Sequence, residues 1–213
     1  MPLAPGGLIS VFGQRLSAGT SYAPAGPLPP ELADTIVTIG DQVLPLLYSS
    51  DGQVNAVVPY EINANTNQQL LVRRGTTYAT PVYVDVAAAQ PAVFQSKGRG
   101  LITDAQGNLI GPNNPAHAGD TIVIYCAGLG AVNPPVADGA VTPNSPLSQS
   151  VNPVVVTIGG MDAAVSFAGL TPGFAGLYQV NAMVPQGVAV GDSIPLALSV
   201  GGQVSQNVAI TLQ

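Results

Sequence analysis

Gln179-Val180-Asn181-Ala182-Met183-Val184-Pro185 repeats, with one exchange, an earlier stretch of the chain, Gln53-Val54-Asn55-Ala56-Val57-Val58-Pro59. Polar and apolar residues alternate through Ala56 and Ala182, the period of two that marks a strand with one buried face. That period sets Val180 on the core side and Asn181 on the other. Proline ends both stretches, because it has no N–H to give to a ladder. Two further blocks recur in the same order. Ile9-Ser10-Val11-Phe12 followed by Leu16 returns as Ile122-Val123-Ile124-Tyr125 followed by Leu129, and Val37-Thr38-Ile39-Gly40 returns as Val156-Thr157-Ile158-Gly159. The chain therefore contains one unit twice. The copies lie 113, 119 and 126 residues apart at the three blocks, so the second carries insertions between them. Gly169-Leu170-Thr171-Pro172-Gly173 reads as one such insertion, a loop ahead of the Gln179 strand.

Turn chemistry agrees with strands throughout. The 25 glycines and 20 prolines punctuate the chain every few residues and leave little room for helices. Val200-Gly201-Gly202-Gln203 reads as a hairpin with a two-glycine turn, matched in the first copy by Arg74-Gly75-Thr76. About seven short strands per copy with no helical stretch predict an all-β fold, two tandem immunoglobulin-like (IPT/TIG-like) β-sandwiches. The division falls near Ala87-Ala88-Ala89-Gln90-Pro91, giving a first sandwich over 1–90 and a second over 91–213. Residues 92–118 have no counterpart in the first copy and are expected to form a hairpin extension around the polar turn 104–108.

Composition limits what such a chain can do. Only 8% of its residues are charged, against about 25% in an average domain. A surface this poor in charge is expected to be covered by something. The five basic residues, Arg15, Arg73, Arg74, Lys97 and Arg99, form no stripe for nucleic acid, and the net charge is −6. No apolar run approaches the roughly 20 residues of a membrane-spanning helix. Residues 1–5 lack the basic and apolar regions of a signal peptide, so a leader already removed is the expectation. The single cysteine, Cys126, lies in the apolar run 122–127 and reads as a small buried hydrophobe.

Several of these motifs resemble a known family. Residues 122–130, Pro134-Pro135-Val136-Ala137-Asp138-Gly139, Pro146-Leu147-Ser148 and Val156-Thr157-Ile158-Gly159-Gly160 are similar to the Solibacter-type C-terminal domain family of secreted acidobacterial proteins. The likeness is strongest over 167–181, from Phe167-Ala168-Gly169 to Gln179-Val180-Asn181. The resemblance implies secretion and a β-sandwich fold, and it implies no catalytic residue. Members of that family usually close much longer chains, so it also implies a fragment or a free-standing version of the module.

The sequence offers no catalytic, cofactor or metal site. His117, the only histidine, stands in a Pro/Gly-rich loop without a nucleophile motif near it. The turn Asp104-Ala105-Gln106-Gly107-Asn108 holds one carboxylate, too few for calcium, and reads as an Asx turn. Lys97 is the only lysine able to form an isopeptide bond, and its flank Gly98-Arg99-Gly100 reads as a mobile loop. Tyr22, Tyr48, Tyr60, Tyr78 and Tyr83 all lie in the first copy and could make a tyrosine-bearing face for a glycan. The leading expectation is an extracellular or cell-surface structural protein that self-associates into a homo-oligomer, filament or layer through apolar faces and strand edges. The other is a passive glycan-binding or spacer module. Assembly is expected to use the chain's uncharged ends, 1–8 and 207–213, as unguarded edges.

Overall fold

The computed structural model describes residues 2–213, and it is all-β: two immunoglobulin-like sandwiches in tandem. In the first, one sheet runs in the order Leu8–Phe12, Gln53–Val57, Leu46–Ser49, Ser21–Tyr22. The facing sheet runs Gln42–Val43, Thr35–Ile39, Thr66–Arg74, with Thr77–Tyr78 and Val82–Val86 both on the far side of Thr66–Arg74. Val37, Ile39, Leu44, Leu46, Val54 and Ala56 are buried between them. The second core gathers Ile122, Ile124, Val156, Ile158, Val180 and Leu198. The two cores divide between Val86 and Ala89. Ala89, on the first side of the sequence-based division, packs into the second core.

The repeat read from the sequence is a repeat of pairing. Ile9 stands opposite Ala56 and Val11 opposite Val54, and Ile122 stands opposite Ala182 and Ile124 opposite Val180. Val37 pairs with Val72 and Ile39 with Leu70, as Val156 pairs with Leu198 and Ile158 with Leu196. A bulge falls between Leu46 and Tyr48 and again at the matching place, between Val165 and Phe167. Gly40 and Gly159 turn the same hairpin with φ of 60° and 58°, left-handed values at which a β-carbon is costly. Shifting any of these strands by one residue would move its whole apolar set to the solvent face, so one pattern enforces one register in both copies.

Proline explains one difference between the copies. In the second, Met161–Leu170 pairs first with Val154–Ile158 and then with Tyr178–Met183, joining both faces into one continuous 13-stranded sheet. In the first, Pro45 interrupts the same stretch and leaves two strands, Gln42–Val43 and Leu46–Ser49. Gly169 and Leu170, read as part of a loop, are the last residues of the Met161–Leu170 strand, and the inserted loop begins at Thr171.

Both chain ends differ from the expectation of bare edges. Leu3 donates its N–H to Asp85 O at 2.8 Å and accepts from Ala87 N at 2.8 Å, a parallel bridge onto the last strand of the first sandwich. Met1 lies outside the described residues. The C-terminal strand Val208–Leu212 is buried and paired on both flanks, with Gly191–Val200 on one side and with Arg99 and Ala116 on the other. Ordering of these ends comes from inside the chain.

Because Leu198 is fully buried in the second core, Leu198→Ala lowers the unfolding free energy by about 2–5 kcal/mol. Chemical denaturation followed by circular dichroism reads the change as a lower midpoint.

Candidate functional surfaces

The sequence-derived candidates separate in space. His117 is exposed in its loop, with Nδ1 3.4 Å from Asp120 Oδ2. Among the described residues no three His, Cys, Asp or Glu side chains come together. Asp104 directs both carboxylate oxygens at its own turn. Oδ1 accepts the N–H groups of Gln106 and Asn108, and Oδ2 accepts the amides of Asn108 and Asn114. Those hydrogen bonds, Asn108's first, hold its carboxyl below the usual range. The Asx-turn reading of this loop therefore stands.

Lys97 is exposed at a turn, but its flank is not a mobile loop. Arg99–Gly100 is a strand paired with Gln95–Ser96 and with Ala209, and the Arg99 guanidinium donates to Thr211 Oγ1 at 2.9 Å. The five tyrosines do not share a face. Tyr22 and Tyr48 stack at 5.0 Å on one sheet, Tyr78 and Tyr83 stand exposed on the other, and Tyr60 is half-buried where the two units meet.

That junction is packed, not loosely linked. Tyr60 N donates to Asp138 Oδ1 at 2.7 Å, and Leu28 N donates to Gly139 O at 2.8 Å. Gly6 lies so close to the Tyr178 hydroxyl and the Tyr60 ring that any β-carbon there would overlap both. Tyr178 is fully buried and donates to Gly130 O at 2.6 Å. Burial pushes both phenols above the ordinary range, with Asp138 adding to the effect at Tyr60.

Strand edges are treated differently in the two copies. In the second, the outward N–H and C=O of Tyr125 are satisfied by Leu101 O and Phe94 N, and Val123 pairs with Thr103. The extension 92–104 thus covers the outer edge of Thr121–Ala127 from Ile122 onward, with Ala92–Val93 on its end. Among the described residues, the equivalent strand of the first copy, Leu8–Phe12, pairs only with Gln53–Val57. Gly7 O and Gly13 N bond across that pair, so the alternation turns the backbone groups of Leu8, Ser10 and Phe12 outward, with no backbone partner among the described residues. Sequence reading had the 92–118 extension but not what it covers. No local pattern in 92–118 names the strand edge that it covers, because that depends on which distant segment it meets in the folded chain.

Two further surfaces are shaped by side chains. Phe94, Leu101, Tyr125, Phe174 and Leu177 line an almost wholly apolar hollow of about 290 Å³ on the second unit. Arg15, Arg74 and Tyr78 line a cleft of about 520 Å³ at the outer end of the first. The sequence reading did not bring the two arginines together, because they stand 59 positions apart in the chain.

No protein-family model and no curated protein matches the chain. Among solved structures it is similar to a surface glycan-binding protein from Prevotella bryantii at 12% identity and TM-score 0.33, over 97% of this chain and 36% of that one. It is also similar to the I9–I11 tandem of titin (8%, TM-score 0.26, 99% and 62%) and to tandem Ig repeats of Dlar (10%, TM-score 0.24, 99% and 91%). The chain spans about a third of the glycan-binding protein and under two thirds of the titin tandem. These likenesses concern the fold alone.

Cys126 is fully buried in the middle of the second sandwich, and burial pushes its thiol well above the ordinary range. Cys126→Ser costs about 1–3 kcal/mol of stability, because the hydroxyl enters an apolar site. A thiol reagent labels the native protein only at the rate at which it opens, which a labelling time course against denaturant concentration measures.

Proposed function

We propose that this chain is a non-catalytic, extracellular structural module that associates with further copies of itself through the open edge of Leu8–Phe12. The observation that carries the reading is the contrast between the copies. One and the same edge is covered by the chain's own residues 92–104 in the second sandwich and has no partner among residues 2–213 in the first. A strand with unpaired N–H and C=O groups is a template for another strand. The stretch suits a second copy. Leu8-Ile9-Ser10-Val11-Phe12 holds no charge, and the first charged side chain is Arg15. Laid antiparallel about Ser10, two copies set Leu8 against Phe12 and join the outward backbone groups of residues 8, 10 and 12. Phe12 is 73% exposed, and a cleft of about 220 Å³ beside Leu8 and Ser10 offers room for the partner's ring.

A second reading, a rigid spacer within a larger secreted protein, is favoured by the packed junction. Hydrogen bonds at Tyr60 and Leu28 and the close approach of Gly6 hold the sandwiches as one body. The two readings are compatible, since a stiff unit with one adhesive edge serves either.

Light scattering with sedimentation separates them. Ser10→Pro deletes an outward N–H at a position where an edge strand tolerates proline, and Phe12→Lys places a charge on the edge. Both variants are expected to remain folded and to reduce association by at least about 10-fold, each broken edge contact adding to a loss of about 1.4 kcal/mol or more. A wild-type chain that stays monomeric at high concentration, or variants that associate as the wild type does, would sink the self-association reading and leave the spacer.

A further inference from the structure

The outer end of the first sandwich carries a charged cleft that the fold does not require. Leu8–Phe12 begins at the junction with the second unit and ends beside Gln14 and Arg15, so the cleft of about 520 Å³ lies at the end of the chain's body away from that junction. Arg15, Arg74, Tyr78 and Thr80 stand around it, over Leu16 and Val72. Arg73 is adjacent, its guanidinium donating to Gly75 O. Three of the five basic residues of a chain with net charge −6 thus gather at one end. The ion pair found among the described residues, His117 with Asp120, is in the other unit, and none of these arginines is in one.

The duplicate carries no charged side chain at these places. Arg15 corresponds to Gly128, Arg74 to Val200 and Tyr78 to Val204. Arg15 and Gly128 share a left-handed backbone, with φ of 56° and 75°. Glycine meets that conformation without steric cost, while arginine does not. The first copy therefore keeps a strained residue where its twin keeps the relaxed one, and strain held in this way marks a side chain with a task. The strained residue, the second arginine and the exposed tyrosine all line the same cleft.

We propose that this cleft binds an acidic oligosaccharide, its carboxylate or sulfate group held between Arg15 and Arg74 and a sugar ring laid on Tyr78. A guanidinium offers a planar fork of donors that matches either oxyanion, and two forks across an open cleft fix its position. Tyr78 is 62% exposed and gives a flat apolar face, while Gln14, Thr77 and Thr80 bring an amide and two hydroxyls for the ligand's own hydroxyls. The cleft lies within the size range of small-ligand sites, about 300–1,000 Å³. This inference does not rest on self-association, because Ser10→Pro leaves the cleft intact and changes at Arg15 leave the outward groups of the edge intact.

Calorimetric titration with tetragalacturonate, a sulfated galactose tetrasaccharide, cellotetraose and a tetraglutamate peptide tests it. One or both acidic sugars are expected to bind, more weakly as salt rises, and the neutral sugar is not. Which acidic sugar binds identifies the oxyanion. Arg15→Gly and Arg74→Val install the duplicate's residues, and each is expected to weaken binding by at least about 10-fold, the loss of one charge-assisted contact. Arg15→Gly is expected to do so with an unchanged or raised Tm, which a merely structural arginine would not allow. Absence of binding to both acidic sugars overturns the proposal. So does an Arg15→Gly variant with wild-type affinity, and so does tetraglutamate binding as tightly as the sugars, which would point to an acidic protein partner.

Discussion

Each sandwich is closed by a short parallel clamp between its leading residues and its last strand. Leu3 exchanges hydrogen bonds with Asp85 and Ala87, and Ala116 exchanges the equivalent pair with Thr211 and Gln213. A few residues on, the same segment changes partners and runs antiparallel to the central strand, through Gly7 O to Val58 N in one copy and Asp120 O to Val184 N in the other. One stretch of chain thus touches both sheets. Backbone groups at a sandwich's margin must be paired or hydrated, and this crossing pairs them where the two layers part. The cores between the sheets, Leu16 to Val86 and Ala89 to Leu212, are closed at that margin.

From this shared frame the copies diverge, and the divergence is where function can be sought. Residues 88–113 precede the second clamp and have no counterpart among residues 2–213 before the first. In the second unit they cover an edge, add Ala89 and Ile102 to the core and carry the Asp104 turn. The equivalent end of the second unit's strands, at Gly128 and Gly130, faces the junction and meets the connector so closely that a β-carbon on either glycine would strike Gln90 O or Ala88 O. The same end of the first unit meets solvent and holds Arg15 in glycine's place. A packed junction therefore accounts for the plain residues of one copy, and an open end leaves room for the charged residues of the other.

Low charge also reads differently once the fold is known. Many large apolar side chains reach the surface, Phe12, Tyr22, Tyr83 and Val190 among them. Most are spread over separate strands, and single exposed apolar residues are ordinary in a sandwich of thin layers. The continuous apolar hollow at Phe94, Tyr125 and Phe174 is the exception.

The sequence by itself determined the repeated strands and their duplication, while Gly169–Leu170 and Arg99–Gly100, read as loops, are strand. Val180 against Asn181, Gly40 and Gly159 at equivalent turns, and a buried Cys126 follow from period two and from turn stereochemistry, both properties of a few neighbouring residues. Only the tertiary structure decided which edges are open, that Val208–Leu212 lies inside a sheet, that the five tyrosines divide between faces, and that Arg15 and Arg74 line one cleft. Those outcomes depend on which distant segment takes up an outward N–H or lies across a layer. Alternation along a strand says which way each side chain points, but nothing about what stands opposite it.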